Sequence, residues 1–303
     1  MSTPAADPLA GLDSVSWSQL SHAYGPADDV PELLRQLQSD DPEIYMTAGD
    51  ELVSTIYHQG SRYSSSIAAV PFLYSLLDIE ATKGRGFLLQ IITHLAVGSP
   101  EWSVPKGIDV AKWQARVREI QEPGYCAHEF RTYEAAERGL PSILRCLEDE
   151  SPNMRATAAF SLAFFLRESG KTTVALSNLF DREIHANVRG TIVLALAIMH
   201  AAQDDSEKSK VVRQLESWYE ACSEDGNDGI TLWSSAIALF ILGSRQGEVV
   251  EETMRASADE EYLARLEMSI PSDMDFPFAV AGLRSLAEAV VTECKGTSLA
   301  EAN

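Results

Sequence analysis

Three side chains in this sequence can move a proton near neutral pH while standing among aromatic residues: His58, and the adjacent His128 and Glu129. Histidine titrates close to neutrality, and a carboxylate beside it can act as a second acid–base group. These three are therefore the candidates for general acid–base catalysis. His58 belongs to a stretch that also holds Trp17, His22, Tyr24, Tyr57, Gln59 and Tyr63. His128 and Glu129 belong to another, with Trp102, Trp113, Tyr125, Arg131 and Tyr133. Brought face to face, the two sets make an aromatic-walled cavity with a few polar groups, which is what a small-molecule site looks like. On that reading Trp17, Tyr24, Tyr57, Gln59, Tyr63, Trp102, Trp113, Tyr125 and Arg131 are the ligand-binding candidates. The competing reading is packing: the tryptophans fill a cap and an insert, and the histidines bond the carbonyls at helix C-termini.

Other chemistry finds little support. Cys126 and His128 are two residues apart, so on a helix they point to different sides and make a poor zinc half-site. No metal site and no cofactor is expected. Gly170-Lys171-Thr172-Thr173 has the ending of a phosphate-binding loop, but the earlier glycine falls at Phe165 and the segment follows a helix. No Gly-x-Ser-x-Gly elbow exists. Asp273 and Asp275 read as loop and cap residues.

The elements that must position these residues come from a repeat. A Val/Leu-Pro step stands at Val30-Pro31, Val70-Pro71 and Leu140-Pro141, and a copy without the proline starts at Val174, at spacings of 40, 70 and 34 residues. Eleven residues on comes a turn (Asp41, Ala81, Ser151, His185), and fifteen on comes Tyr45, Arg85, Arg155 or Arg189. Twenty-two on comes Leu52, Ile92, Leu162 or Leu196, an apolar residue where a second helix packs on the first. Such hairpins cannot bury their apolar faces alone and must stack.

The pattern predicts an all-α chain, a right-handed α-solenoid of about five to seven helical hairpins. Residues 1–13 read as a disordered lead-in, 14–295 as a single domain, and 296–303 as a disordered tail. A short helix with Trp17, Leu20 and His22-Ala23-Tyr24 caps the first repeat and stops at Gly25-Pro26. Helices are expected at 29–39, 43–58, over the repeat at 67–97, and at 108–121 and 126–137. Further repeats cover 139–168 and 172–202. Helices at 206–222, 229–242, 247–268 and 277–293 follow. Residues 98–137 break the period, as a degenerate repeat or as a lid. Arg155 and Arg189 read as members of a ladder with neighbouring acids.

The step Ser151-Pro152-Asn153-Met154-Arg155-Ala156-Thr157-Ala158 resembles HEAT-type repeats, in the bacterial and fungal subgroup grouped with phycobilin-lyase-like repeats. The N-terminal half is similar to uncharacterised HEAT proteins at His22-Ala23-Tyr24-Gly25, Asp29-Val30-Pro31, His58-Gln59-Gly60 and Ala69-Val70-Pro71-Phe72-Leu73. Two departures stand out: Tyr45 replaces the usual arginine, and Gly84 disturbs the start of a second helix. The resemblance covers about two-thirds of the chain. It implies the solenoid fold and, most often in such proteins, binding of another protein, with a minority acting on bilins or DNA bases. A fold with so many uses does not assign one.

Composition narrows the choice. Forty-five acidic residues face 24 basic ones, a formal charge of −21. Binding to a nucleic-acid backbone needs a basic patch, and none is visible. The acidity serves solubility, or it forms a docking surface for a basic partner. No apolar run reaches the ~18–20 residues that span a bilayer, and the N-terminus has neither a basic nor an apolar leader region. Four cysteines without paired spacing fit a reducing compartment, with the cytoplasm as the default, and Cys146 and Cys222 read as core residues. The first reading is thus a non-catalytic scaffold or adaptor that holds a protein or peptide on its concave surface. The alternative is a cofactor-independent cyclase, lyase or isomerase acting on a small-molecule ligand.

Overall fold

The computed structural model describes residues 7–100, 103–104, 106–119, 125–203, 206–225 and 229–300. The fold is all-α, with fifteen α-helices and two very short hairpins among those residues. Its contacts divide the chain into two compact units, Met1–Pro100 with Ala111–Ile143, and Glu101–Val110 with Leu144–Asn303. No helix among the described residues is long and apolar enough to cross a membrane.

The first unit contains α1 (Val30–Gln36), α2 (Pro42–Ile56), α3 (Ser64–Leu77), α4 (Arg85–Val97), α5 (Val110–Glu119) and α6 (Tyr125–Arg138). Helix α1 packs on α2, α3 on α4, and α6 on both α3 and α4. Leu34, Leu52, Ile56, Leu73, Leu77, Leu88, Ile92 and Leu95 form the shared core. The caps follow the sequence at α2, where the Asp41 carboxylate accepts from the Glu43 N–H at 2.9 Å. At α1 they do not. Asp29 holds the N-cap position, but its carboxylate turns to His22 instead.

Pro71 also departs from expectation. It lies inside α3 rather than at a helix start, because α3 begins at Ser64, directly after a hairpin. The Ser66 hydroxyl fixes that start. It accepts from the Tyr63 N–H at 2.7 Å and donates to the Ile56 carbonyl at 2.6 Å. The two departures from the repeat pattern, Tyr45 and Gly84, explain each other. Gly84 precedes α4 with φ 59°, and the Tyr45 hydroxyl donates to its carbonyl at 3.3 Å. A Cβ at residue 84 would stand 1.9 Å from that hydroxyl, so only glycine fits. Burial, with the nearby Asp50, pushes the Tyr45 phenol up to about 12.

The N-terminal residues differ more. Within the expected lead-in, the described residues from Asp7 on form turns, with Leu9 and Leu12 buried. The expected capping helix is a 3₁₀ turn at Trp17–Gln19 followed by a hairpin of β1 (Ser21–His22) and β2 (Gly25–Pro26). A second hairpin, β3 (Tyr57–His58) with β4 (Ser61–Arg62), joins α2 to α3. Its turn residues Gln59 and Gly60 both have positive φ, 50° and 84°, the geometry of a type I′ turn.

The chain leaves the first unit within α7 (Leu140–Cys146). The second unit carries α8 (Pro152–Leu162), α9 (Ser169–Arg182), α10 (Ala186–Ala201), α11 (Ser206–Asp225) and α12 (Gly229–Ile241). Helices α8, α10 and α12, each the second of its hairpin, lie side by side and are buried along nearly their whole length. Cys146 and Cys222 are buried, as their helical settings suggest.

The last expected pair is subdivided. Asp259 adopts an extended conformation and its carboxylate caps the Tyr262 N–H, which splits 247–268 into α13 (Gly247–Ala258) and α14 (Glu260–Ser269). The expected helix at 277–293 is a 3₁₀ turn at Pro277–Ala279, a left-handed Gly282 (φ 95°), then α15 (Leu283–Ala300). Helical backbone thus continues past Lys295, where the sequence suggested a tail.

The arginines at the repeat positions hold turns together. Arg155 donates to both carboxylate oxygens of Glu183, at 2.7 and 3.0 Å, and to the carbonyls of Asp149 and Glu150. This is the acid pairing expected of the ladder. Burial alone pushes Glu183 up, but hydrogen bonds from Arg155 and His185 outweigh it and hold the carboxyl at about 2. Arg189 lies over the Phe180 ring, 4.5 Å from its centre. Arg85 donates to the Leu77 carbonyl at 2.8 Å.

Candidate functional site

The two hairpins of the first unit are neighbours. The Ala23 N–H donates to the Thr55 carbonyl at 3.0 Å, and the Ser21 N–H to the Ser64 hydroxyl at 2.8 Å. His22 is buried beneath the first turn. Its Nδ1 accepts from the Tyr24 N–H at 3.0 Å, so its Nε2–H donates to Asp29, also at 3.0 Å. Both ring nitrogens are thus spent on shaping the turn. That turn pushes Tyr24 outward, 67% exposed. Its ring meets His58 edge-on at 5.4 Å, and its hydroxyl lies 3.3 Å from His58 Nδ1. An exposed phenol on an imidazole is a pair able to pass a proton.

Tyr57 points elsewhere. Its ring packs on His94 at 5.8 Å and its hydroxyl lies 3.5 Å from the Ser99 hydroxyl. Gln59 is exposed at the turn, and Tyr63 is half-buried ahead of α3. Trp17 is buried against Phe72, with its indole N–H donating to the Leu12 carbonyl at 2.9 Å. It packs the cap.

From the insert, Trp113 of α5 packs on Phe130 and Tyr133 of α6, with ring centres 5.4 and 5.3 Å apart. Burial, and then the charge of Arg131, lower the pKa of His128, which disfavours a charged imidazole at neutral pH. Arg131 itself is exposed. Glu129 reaches the second hairpin: Arg62 Nη1 stands 3.9 Å from its carboxylate and also donates to the Gly60 carbonyl. Trp102 lies outside the described residues, as does the side chain of Tyr125.

The structure therefore brings Tyr24 to His58, and Glu129 to the strand that follows His58. Among the described residues no hydrogen bond or ion pair joins His58 to His128 or Glu129. No three metal-ligating side chains gather among them either. Arg62 escaped the sequence reading, as did the partnership of Asp29, placed there at a helix start, with His22. The signal for Arg62 was the Gly60-containing turn, which marks a hairpin as readily as a helix stop. Comparisons with protein-family models, with curated proteins and with solved structures return no match.

Proposed function

We propose that this chain is a HEAT-like helical-repeat protein, a solenoid of stacked hairpins that binds a protein or peptide partner as a non-catalytic scaffold or adaptor. The observation that carries the reading is the layer of second helices, α8, α10 and α12, set side by side, with α8 and α10 at equivalent places in the sequence repeat. The ends of such equivalent helices stand at a regular spacing, so a stack of hairpins offers an elongated ligand repeated, equivalent positions there, as a globular enzyme core does not. The formal charge of −21 favours a basic partner, whose affinity falls as salt screens it. The test is native mass spectrometry of the tagged protein isolated from its host at low salt. A co-isolated polypeptide that dissociates at high salt is expected. A small-molecule adduct with no polypeptide overturns the reading.

A second reading, a cofactor-independent small-molecule enzyme, is favoured by the Tyr24–His58 pair next to the Arg62–Glu129 contact. On it His58 moves the proton and Tyr24 polarises or relays. A bound small molecule lost on His58→Ala but retained in Trp17→Phe supports it, and an adduct indifferent to His58 removes it.

A further inference from the structure

Within the second unit, part of the segment between α14 and α15 lies along α8 and α10. Asn153, on the first turn of α8, holds it by main-chain atoms alone: Nδ2 donates to the Asp273 carbonyl at 2.8 Å, and Oδ1 accepts from the Asp275 N–H at 2.9 Å. Asn187, on the first turn of α10, is its repeat equivalent, 34 residues on. Asn187 Nδ2 donates to the Asp275 carbonyl at 3.0 Å. The two carboxamides thus climb the segment two residues at a time, the step of an extended peptide. Phe276 seats against Gly190, where a Cβ would come within 3.1 Å of its ring, and Phe278 packs edge-on against Phe160 at 4.8 Å. The carboxylates of Asp273 and Asp275 are exposed.

One rung is missing. Asn153 uses both carboxamide atoms, whereas Asn187, only 1% exposed, has an Oδ1 with no hydrogen-bond partner. Continuing the ladder by its own step, that oxygen should accept from the N–H of residue 277. Residue 277 is proline and has none. A buried acceptor left unpaired is costly, so the chain's own segment is an incomplete ligand for this face.

We propose that the α8–α10 face is a binding site for an extended peptide, and that residues 273–276, with the 3₁₀ turn that follows them, occupy it as a tethered, deliberately weak stand-in. The peptide it fits presents two aromatic residues two positions apart with a non-proline residue between them. It carries lysine or arginine where the stand-in exposes Asp273 and Asp275, because those positions face solvent on a chain of charge −21. This specifies the partner of the scaffold reading and rests on that reading.

The test uses the full chain and labelled peptides spanning residues 270–279, with lysine at positions 273 and 275 and either proline or alanine at 277. The alanine peptide should bind roughly three- to tenfold more tightly than the proline peptide, the range one recovered hydrogen bond supplies. Asn187→Ala should erase that difference, while Asn153→Ala weakens both peptides alike. In the intact chain, Pro277→Ala should complete the internal ladder, protect the new amide at 277 from hydrogen exchange, and reduce capture of either peptide. Equal affinities for the two peptides overturn the proposal, as does a freely exchanging amide at 277 or a concentration-dependent dimer that exchanges the segment between copies. If the peptides fail while a salt-sensitive polypeptide still co-isolates, the scaffold reading stands and its partner docks elsewhere.

Discussion

Replacing Glu183 by glutamine isolates the clamp that Arg155 makes around the turn before α10. The carboxylate side chain is 2% exposed and receives Arg155, the His185 ring and the backbone N–H groups of Ile184 and His185. These partners hold its carboxyl at about 2, against 4.5 for the free group. A depressed carboxylate contributes stability that is present above the unfolded value and is lost as pH falls through the folded one. The difference corresponds to roughly 3 kcal/mol at neutral pH, all of it acting between about pH 4.5 and pH 2. Glu183→Gln should therefore destabilise the second unit by roughly 3 kcal/mol at pH 7, within the range for breaking one side of a buried pair. Urea unfolding, resolved to α8–α10 by pulsed hydrogen exchange, measures it. The gap between wild type and variant should close as the pH approaches 2, since every other carboxylate titrates alike in both proteins. A gap under about 0.5 kcal/mol at pH 7, the size of an exposed pair, refutes the argument. So does a gap that persists unchanged at pH 2.

Other changes test single features. Gly84→Ala places a methyl group on the Tyr45 hydroxyl and forces a left-handed φ on alanine, and should lower stability by about 2 kcal/mol in thermal melts, with part recovered in the Gly84→Ala/Tyr45→Ala double variant. Gln59→Asn suits the type I′ turn better and should raise stability by a few tenths of a kcal/mol, whereas Gln59→Val should lower it, both read from urea midpoints. Tyr45 and Tyr262 are each raised, Tyr45 by burial and Tyr262 by burial and its hydrogen bond to Glu252. Neither should ionise below about pH 11 in the native protein, so an ultraviolet titration should show their share of tyrosinate only on unfolding, with Tyr45→Phe removing one tyrosine's worth of that delayed signal.

The helices were legible because their signals are local. The Val30-Pro31 and Leu140-Pro141 steps, the turns at Asp41 and Ser151, and the apolar residues at a fixed offset each act within a turn or two, and α1, α2, α7 and α8 follow them closely. What was missed depends on residues distant in sequence or on backbone conformation. The hairpin at Ser21–His22 exists because His22 finds Asp29 and the Ala23 N–H finds Thr55. The break at Asp259 is a cap in the middle of a helical pattern, where helix propensity outvoted a single aspartate. Of the candidate site, Tyr24 and His58 do meet, but Trp17 belongs to the cap, and Arg62 lies just past residue 58, where a helix was expected to end. Asn153 and Asn187 each stand thirteen residues after the start of their repeat, an offset the motif did not include, and nothing local marks Asp273–Phe278 as the segment they hold.

If a partner peptide takes the α8–α10 face, hydrogen-exchange mass spectrometry of the full chain will register the displacement of the tethered segment. The chain would be measured with its low-salt co-isolated polypeptide and again after that polypeptide is released by salt. With the partner bound, amides 272–280 should exchange faster as the tethered segment is displaced, while the first turns of α8 and α10 stay protected. Protection changes confined to the Ser21–Pro26 and Tyr57–Arg62 hairpins and to α6, with 272–280 unaltered, would contradict it and place the function at Tyr24 and His58.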